Sequence, residues 1–148
     1  MKKSGILNAE LMFGLTSLGH YDVVLICDSG FPIPRGADCI DLAIVENLPT
    51  MPQVLTAVLG EAIFSDYYIP DNMAERNKAS YDYVTGLLSR QTKNEVPFSE
   101  LCAIAEKAKL IIRTGDCRPC SNVALVSASG VPSTYTKFDI DCKLEIDV

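Results

Sequence analysis

The stretch LGHYDVVLICDSGFPIP, residues 18–34, decides the fold. Its centre, residues 22–27, contains the continuous apolar run 23–27 with β-branched valines, which is typical of a strand buried on both faces. The glycine and two prolines that follow predict an ordered loop. His20 precedes the apolar run and Asp28 ends it. The only histidine of the chain and a carboxylate therefore flank one predicted strand.

Helical and strand-like patterns alternate along the rest of the chain. Helices are predicted to start near Asn8, near Thr50 and around Pro97, and a long one to run from Asn72 to about Arg90. Further strands are predicted at 39–45, 62–69, 110–115 and 122–129. This alternation predicts one α/β domain over residues 1–148 with a sheet largely covered by helices. The tail from about residue 132 is predicted to add a terminal strand or to wrap a neighbouring subunit.

Composition narrows the class of partner. The 148 residues carry a net charge of −6, which argues against a nucleic-acid partner and suits a small neutral ligand. No apolar run reaches the roughly 18 to 20 residues that span a membrane. Asn8 and Glu10 interrupt the apolar segment near the start, so no signal peptide is predicted. A cytoplasmic location is expected, in which free thiols are the default state of the six cysteines.

The motif CRPC, residues 117–120, suggests a dithiol or a metal site. It lies between two predicted strands, with no helix start that would lower the pKa of a thiol. A structural zinc site needs four ligands, whereas the remaining cysteines are scattered and there is one histidine. The sequence also lacks a glycine-rich phosphate loop and a GxSxG nucleophile motif. Metal, redox and hydrolase functions are therefore less favoured.

His20 and Asp28 each have a structural interpretation and a functional one. His20 is either a helix C-terminal imidazole or an acid–base group, and Asp28 either caps the following turn or binds a ligand. If residues 22–27 form a straight strand, the two lie roughly 26 Å apart at about 3.3 Å per residue. They can share a site only if the chain bends or a neighbouring subunit supplies one of them. The geometry favours an oligomer with a site at the subunit boundary, provided that both residues act together.

Three blocks of sequence resemble the D-ribose pyranase and L-fucose mutarotase family. The first is GILN followed by LGHYDVVLICDSGFPIP, the second is IDLAIVENLPTMPQVLTAVLGE, and the third is AKLIIRTGDCRPCSNVAL. The family patterns are approximately GxLN, LGHxD, CDAGLPIP, an IDLAL stretch and I-R-[ST]-G-E-x-x-x-Y-[AG]-N. The similarity extends to about Leu125.

The resemblance implies an α/β fold that assembles into rings, commonly decamers, with sugar sites between subunits. It implies an isomerase that interconverts the ring forms of a free monosaccharide without cofactor or metal. The resemblance implies that His20 is the histidine that acts as the acid in the family. It likewise implies that Asp28 is the aspartate that binds sugar and Asn122 the asparagine of the Y-[AG]-N motif. Ser121, Cys120 and Phe98 occupy further sugar-site positions. An imidazole, with an ordinary pKa of about 6.5, can give and take the protons that ring opening requires near neutral pH.

The chain departs from the family on one side of the expected pocket. Cys120 stands where the family has tyrosine, and Phe98 stands where ribose-type members have histidine and fucose-type members have arginine. Cys102 and Leu101 replace the lysine and the phenylalanine of the family's H-x-x-F-K stretch. The resulting apolar wall predicts a less hydroxylated sugar or a stacked sugar face. It also leaves open the alternative of a non-catalytic sugar-binding or transport-accessory protein.

Overall fold

A computed structural model describes residues 2–129 of the chain, and the predicted tail from about residue 132 lies outside them. The described residues contain five helices and six strands. The helices are α1 (Ala9–Thr16), α2 (Met51–Leu59), α3 (Met73–Arg76), α4 (Lys78–Leu87) and α5 (Phe98–Ala105). The strands are β1 (Val23–Cys27), β2 (Cys39–Asp41), β3 (Phe64–Pro70), β4 (Thr92–Val96), β5 (Leu110–Arg113) and β6 (Val123–Ser127).

The six strands form one sheet in the order β2-β5-β1-β6-β3-β4. β1 pairs parallel with β5 and antiparallel with β6, and β6 also pairs antiparallel with β3. β2 pairs parallel with β5, and β4 pairs parallel with β3. β6 is therefore antiparallel to the other five strands. β1 is flanked on both sides and lies inside the sheet. That position explains why its sequence is apolar without interruption.

The two faces of the sheet carry separate apolar clusters. Val24 and Ile26 point to the face that α1, α2 and α4 cover. Leu25 and Cys27 point to the opposite face, where α5 packs through Leu101. All four of these β1 side chains have no exposed surface. The expected α/β architecture with a covered sheet is confirmed.

The predicted helix starts are confirmed at the first two caps. The side chain of Asn8 accepts a hydrogen bond from the Leu11 N–H at 2.9 Å and caps α1. Thr50 and Gln53 form a reciprocal capping box at α2, where the Thr50 N–H donates to Gln53 Oε1 at 2.9 Å. Such caps satisfy backbone N–H groups that have no partner within the helix.

The single long helix predicted from Asn72 to about Arg90 is wrong. Asn77 interrupts it with φ −150° and ψ 65°, and its side chain accepts from the Ser80 N–H at 3.2 Å. This side-chain cap starts α4 as a separate helix because asparagine competes with the helical backbone for hydrogen bonds.

The strand predicted at 39–45 is shorter than expected. β2 ends at Asp41, whose carboxylate accepts from the Ala43 N–H at 3.0 Å and turns the chain away from the sheet.

The sequence analysis does not predict β4. Its sequence TKNEV is mostly exposed because it is an edge strand, so no apolar pattern marks it. Backbone pairing with β3 alone makes it a strand.

None of the helices within residues 2–129 is both long enough and apolar enough to cross a membrane.

Candidate active site

The candidate site lies at one edge of the sheet, where β1, β3, β4 and β5 end and β6 begins. Ligands of α/β proteins bind at the carboxyl ends of the strands. Ile26 near the end of β1 is paired with Val123, the first residue of β6. This register brings Asp28 and Asn122, which are 94 positions apart in the sequence, to the same place.

Asp28 and Asn122 hold each other through two hydrogen bonds. The Asp28 N–H donates to Asn122 Oδ1 at 2.9 Å, and Asn122 Nδ2 donates to Asp28 Oδ2 at 2.8 Å. The other carboxylate oxygen of Asp28 accepts from the Gly30 N–H at 3.0 Å. The predicted turn-capping role of Asp28 is therefore present. Each carboxylate oxygen retains a lone pair, so the same group can still accept a hydroxyl from a ligand.

The surroundings of Asp28 weaken its acidity. Burial raises the pKa of its carboxyl above the ordinary value, and the nearby charge of Asp116 adds to the increase. The hydrogen bonds from Asn122 and Gly30 oppose this shift by favouring the carboxylate. A partly desolvated carboxylate of this kind binds neutral hydroxyls strongly because little water competes for it.

Ser121 is fully buried and faces away from solvent. Its hydroxyl accepts from Asn77 Nδ2 at 2.9 Å, and the same amide nitrogen donates to the Pro119 carbonyl at 2.9 Å. Asn77 thus ties the loop before β6 to the start of α4. Contact between Ser121 and a sugar stays a prediction, while its contact with Asn77 positions the neighbouring Asn122.

Cys120 is half-buried and adopts φ +57°, an uncommon backbone conformation for a residue other than glycine. Its thiol lies 3.3 Å from Asn72 Oδ1 at the end of β3. Burial raises the pKa of this thiol, although the positive charge of Arg76 partly opposes the shift. The Cys117 thiol is directed elsewhere, 3.3 Å from Ser29 Oγ. Both thiols are free, and the loop that carries them lies between β5 and β6 as predicted.

Asp116 anchors the same loop from within the protein. Its carboxylate has no exposed surface and accepts from the backbone N–H of Met51 at 2.9 Å and from the Arg118 guanidinium. Burial disfavours its charged form, but the hydrogen bonds to Arg118 and Met51 outweigh this cost and lower the pKa of the carboxyl. Its carbonyl accepts from the Ser29 N–H at 2.9 Å, which connects the loop to the turn of Asp28.

Gly115 is required by a close approach of two backbone segments. A Cβ at this position would lie 2.5 Å from the Leu48 carbonyl oxygen and 2.6 Å from that of Val45. We expect Gly115→Ala to lower the free energy of unfolding by roughly 1–3 kcal/mol, as overpacking does, measured by denaturant unfolding. Gly86→Ala is the matched control, since it lies in α4 with open space around it. An equally stable Gly115→Ala protein would contradict this account of the loop.

Phe98 begins α5 and stands at the same edge of the sheet. Its ring is 47% exposed and contacts the ring of Phe31, with the centroids 5.6 Å apart. Phe31 follows Asp28 by three residues in the same turn, where its N–H donates to the Asp28 carbonyl at 3.4 Å. Through Phe31, the ring of Phe98 is therefore connected to the turn that carries Asp28.

His20 is not part of this assembly of residues. It precedes β1, whereas Asp28 follows β1, so the two lie at opposite ends of that strand. The imidazole is exposed and contacts the Tyr21 ring at a tilt of 39°, with ring centroids 3.7 Å apart. α1 ends at Thr16, so His20 lies beyond the last turn of that helix, where the helix dipole has little effect.

Several residues of the site were not singled out from the sequence. Asn72 and Asn77 fell within the predicted long helix, where their helix-capping chemistry was the one available signal. Asp116 aligns with the family glutamate, but its burial could not be known. Within residues 2–129, no group of three or more histidine, cysteine, aspartate or glutamate side chains is arranged to hold a metal ion.

Comparison with known proteins finds one family model and several relatives that match most of the chain. Residues 1–131 match the model of the RbsD / FucU transport protein family. D-ribose pyranase 2 of Rubrobacter xylanophilus is 40% identical over 138 residues, which cover 93% of this chain and 90% of that protein. D-ribose pyranase of Pseudomonas syringae pv. syringae is 39% identical over 130 residues, which cover 86% of this chain and 97% of that protein.

Two solved structures have the same fold. Bacillus subtilis RbsD complexed with D-ribose superposes with a TM-score of 0.85 at 30% identity, covering 88% of this chain and 100% of that one. The fucose mutarotase in complex with L-fucose from Streptococcus pneumoniae superposes with a TM-score of 0.72 at 17% identity. That alignment covers 84% of this chain and 95% of the mutarotase chain, and it supports the fold alone.

Proposed function

The chain belongs to the RbsD / FucU transport protein family, and from this premise we propose that it is an isomerase that interconverts the ring forms of a free monosaccharide. The observation that carries the proposal is the Asp28–Asn122 pair at the carboxyl ends of the strands. A carboxylate held by an amide offers hydrogen-bond acceptors in a fixed direction, which is what recognition of neighbouring sugar hydroxyls needs.

The reaction consists of two proton transfers in each direction. Opening a cyclic sugar removes the proton of the anomeric hydroxyl and adds a proton to the ring oxygen, leaving a free carbonyl and a free hydroxyl. Closure on the other face of the carbonyl, or through a different hydroxyl, reverses both transfers. We assign the proton transfers to His20 and the binding of the sugar to Asp28, Asn122, Ser121, Cys120 and Phe98. The chemistry calls for neither a cofactor nor a metal.

The positions of His20 and Asp28 make a shared site within one chain impossible without a large rearrangement. β1 is a paired, five-residue strand between them. We therefore propose a homo-oligomeric ring, of decamer type, in which His20 of one subunit completes the site formed by Asp28 and Asn122 of another. A head-to-tail interface of this kind forms a ring when the rotation between neighbouring subunits closes on itself.

Mixing two inactive variants tests the shared site. His20→Ala and Asp28→Ala subunits, co-refolded in equal amounts, should regain activity because some sites receive an intact His20 and an intact Asp28 from different chains. Random mixing makes about one quarter of such two-chain sites intact. NMR exchange between sugar anomers measures the recovery. If the mixture stays as inactive as the parents while forming hybrid oligomers, the shared site is wrong.

A second candidate is a sugar-binding protein without catalysis. It is favoured by the apolar side chains at Phe98, Cys102 and Cys120, where the resemblance leads one to expect groups that hydrogen-bond. Binding of a sugar without acceleration of its anomer exchange would support this candidate over the isomerase. We place either activity in the cytoplasm, on a neutral sugar, as the net charge of −6 suits a small uncharged ligand.

A further inference from the structure

An aromatic pair is attached to the turn that carries Asp28. The Phe31 N–H donates to the Asp28 carbonyl at 3.4 Å, so the ring of Phe31 and the carboxylate belong to one tight turn. The ring of Phe98 meets that of Phe31 nearly edge to face, with an interplanar angle of 71° and a centroid distance of 5.6 Å. The carboxylate of Asp28 and the aromatic pair are thus connected through one turn.

The outer ring of this pair is open to a ligand. Phe31 is 6% exposed and packs into the apolar cluster under α5 with Val96 and Leu101. Phe98 is 47% exposed and is held by its contact with Phe31. Edge-to-face packing of this kind is favourable and directional. Phe98 is therefore a supported apolar surface that a ligand can cover.

Cys102 continues this surface along α5. It lies one helical turn after Phe98, so the two side chains share a face of the helix. The thiol is half-buried, and burial raises its pKa, so it stays uncharged at neutral pH. Phe31, Phe98 and Cys102 together form what we call the aromatic wall. It offers neither a charge nor a strong hydrogen-bonding group.

A sugar bound beside Asp28 meets two chemically different surfaces. Its hydroxyls find acceptors and a donor at Asp28 and Asn122. A hydroxyl directed at the aromatic wall would lose its water and find no partner, which is unfavourable. A methylene or methyl carbon at the same place would bury apolar surface, which is favourable.

We infer that the substrate is a neutral deoxy aldose whose deoxygenated carbon faces Phe98. This inference rests on the proposed function and narrows it to a class of substrate. The anomeric hydroxyl and the hydroxyl that closes the ring are retained, because ring interconversion needs both. Phe98 is accordingly a specificity-determining residue, which favours a sugar with one hydroxyl fewer by about tenfold or more.

Two matched pairs of sugars test the inference. D-ribose and 2-deoxy-D-ribose differ in one hydroxyl, as do L-galactose and L-fucose. NMR exchange between anomers is measured for each sugar with and without the full-length protein, and each rate is divided by its own spontaneous rate. We expect the deoxy member of at least one pair to be accelerated about tenfold more than its partner.

Three results would contradict the proposals in distinguishable ways. Equal or greater acceleration of the hydroxylated member in both pairs overturns the inference but leaves the isomerase standing. That result would indicate a stacked, fully hydroxylated sugar face on Phe98. Absence of acceleration for all four sugars overturns the proposed function and, with it, the inference. A deoxy preference that survives the change of Phe98 described next overturns the role of the aromatic wall.

Variants of Phe98 separate polarity from packing. Phe98→His places a hydrogen-bonding ring of similar shape on the wall and should abolish the preference for the deoxy sugar. Phe98→Leu keeps an apolar surface and should retain most of that preference. Thermal unfolding of both variants checks that the partly exposed position tolerates the change. The ratio of the two rates within a sugar pair is the readout, since a general loss of folded protein would lower both rates equally.

Discussion

Replacement of His20 by alanine is expected to reduce the catalysed rate of sugar ring interconversion about 10²- to 10⁴-fold, the usual contribution of a positioned acid–base group. The spontaneous reaction sets the floor, because sugars interconvert slowly without help. The measurement is NMR exchange between anomers of the best substrate. Binding of the sugar should change much less, since we assign binding to Asp28, Asn122 and their neighbours, which this substitution leaves intact.

The structure predicts that this variant folds normally. The His20 side chain is exposed and contacts the Tyr21 ring, so its loss leaves no buried cavity. His20→Gln, which keeps polarity but cannot exchange protons, should be as slow as His20→Ala. Added free imidazole should restore part of the rate of His20→Ala. A His20→Ala protein with the wild-type rate and a native melting temperature would remove His20 from the mechanism.

Asn122→Asp is expected to destabilise the protein by about 1–3 kcal/mol at neutral pH and to weaken sugar binding at least about tenfold. The new side chain has nearly the same shape, and one oxygen still accepts from the Asp28 N–H. Its other oxygen replaces an N–H₂ donor that lies 2.8 Å from Asp28 Oδ2. Two carboxylates at that distance repel each other and must share a proton.

The loss of stability in Asn122→Asp should be smaller at low pH than at high pH. Burial already raises the pKa of Asp28, and a second carboxylate raises the pKa of the pair further. An acid whose pKa is raised in the folded state costs stability once it ionises, so the deficit is full above that pKa and shrinks as pH falls through it. Denaturant unfolding should therefore show a smaller difference from wild type near about pH 5 than near about pH 8.

Asn47→Asp is the matched control for this charge change. Asn47 is exposed, and its Oδ1 accepts from the Cys117 N–H at 3.0 Å, a bond that aspartate also makes. The control should lose little stability, and its difference from wild type should not shrink on acidification. If Asn122→Asp behaved like Asn47→Asp at every pH, the Asp28–Asn122 pair would have no special role.

The strand β1 and the helices α1 and α2 could be predicted because each follows a local sequence pattern. β1 is buried on both faces, so each of its side chains had to be apolar, and the run is visible in the sequence. α1 and α2 begin at side-chain caps, which act over three residues and are equally visible. These features depend on neighbours in the chain, which is why sequence alone identified them.

The features that the sequence failed to predict depend instead on partners far apart in the chain. β4 is polar and exists because its backbone pairs with β3 at the edge of the sheet. The break between α3 and α4 depends on Asn77, whose amide also reaches Ser121 and Pro119 across 42 or more positions of sequence. Both features depend on partners that are distant along the chain, so no local sequence pattern indicates them.

The sequence by itself determined the class of fold, the buried central strand and the types of side chain available for acid–base and hydroxyl-binding chemistry. Only the tertiary structure decided which of these meet: Asp28 with Asn122 and Phe31 with Phe98, at the carboxyl ends of the strands. The separation of His20 from Asp28 already followed from the strand predicted between them. The physical reason is the sheet. A strand is stiff and extended, so it separates residues that are close in sequence, while strand pairing joins residues that are far apart.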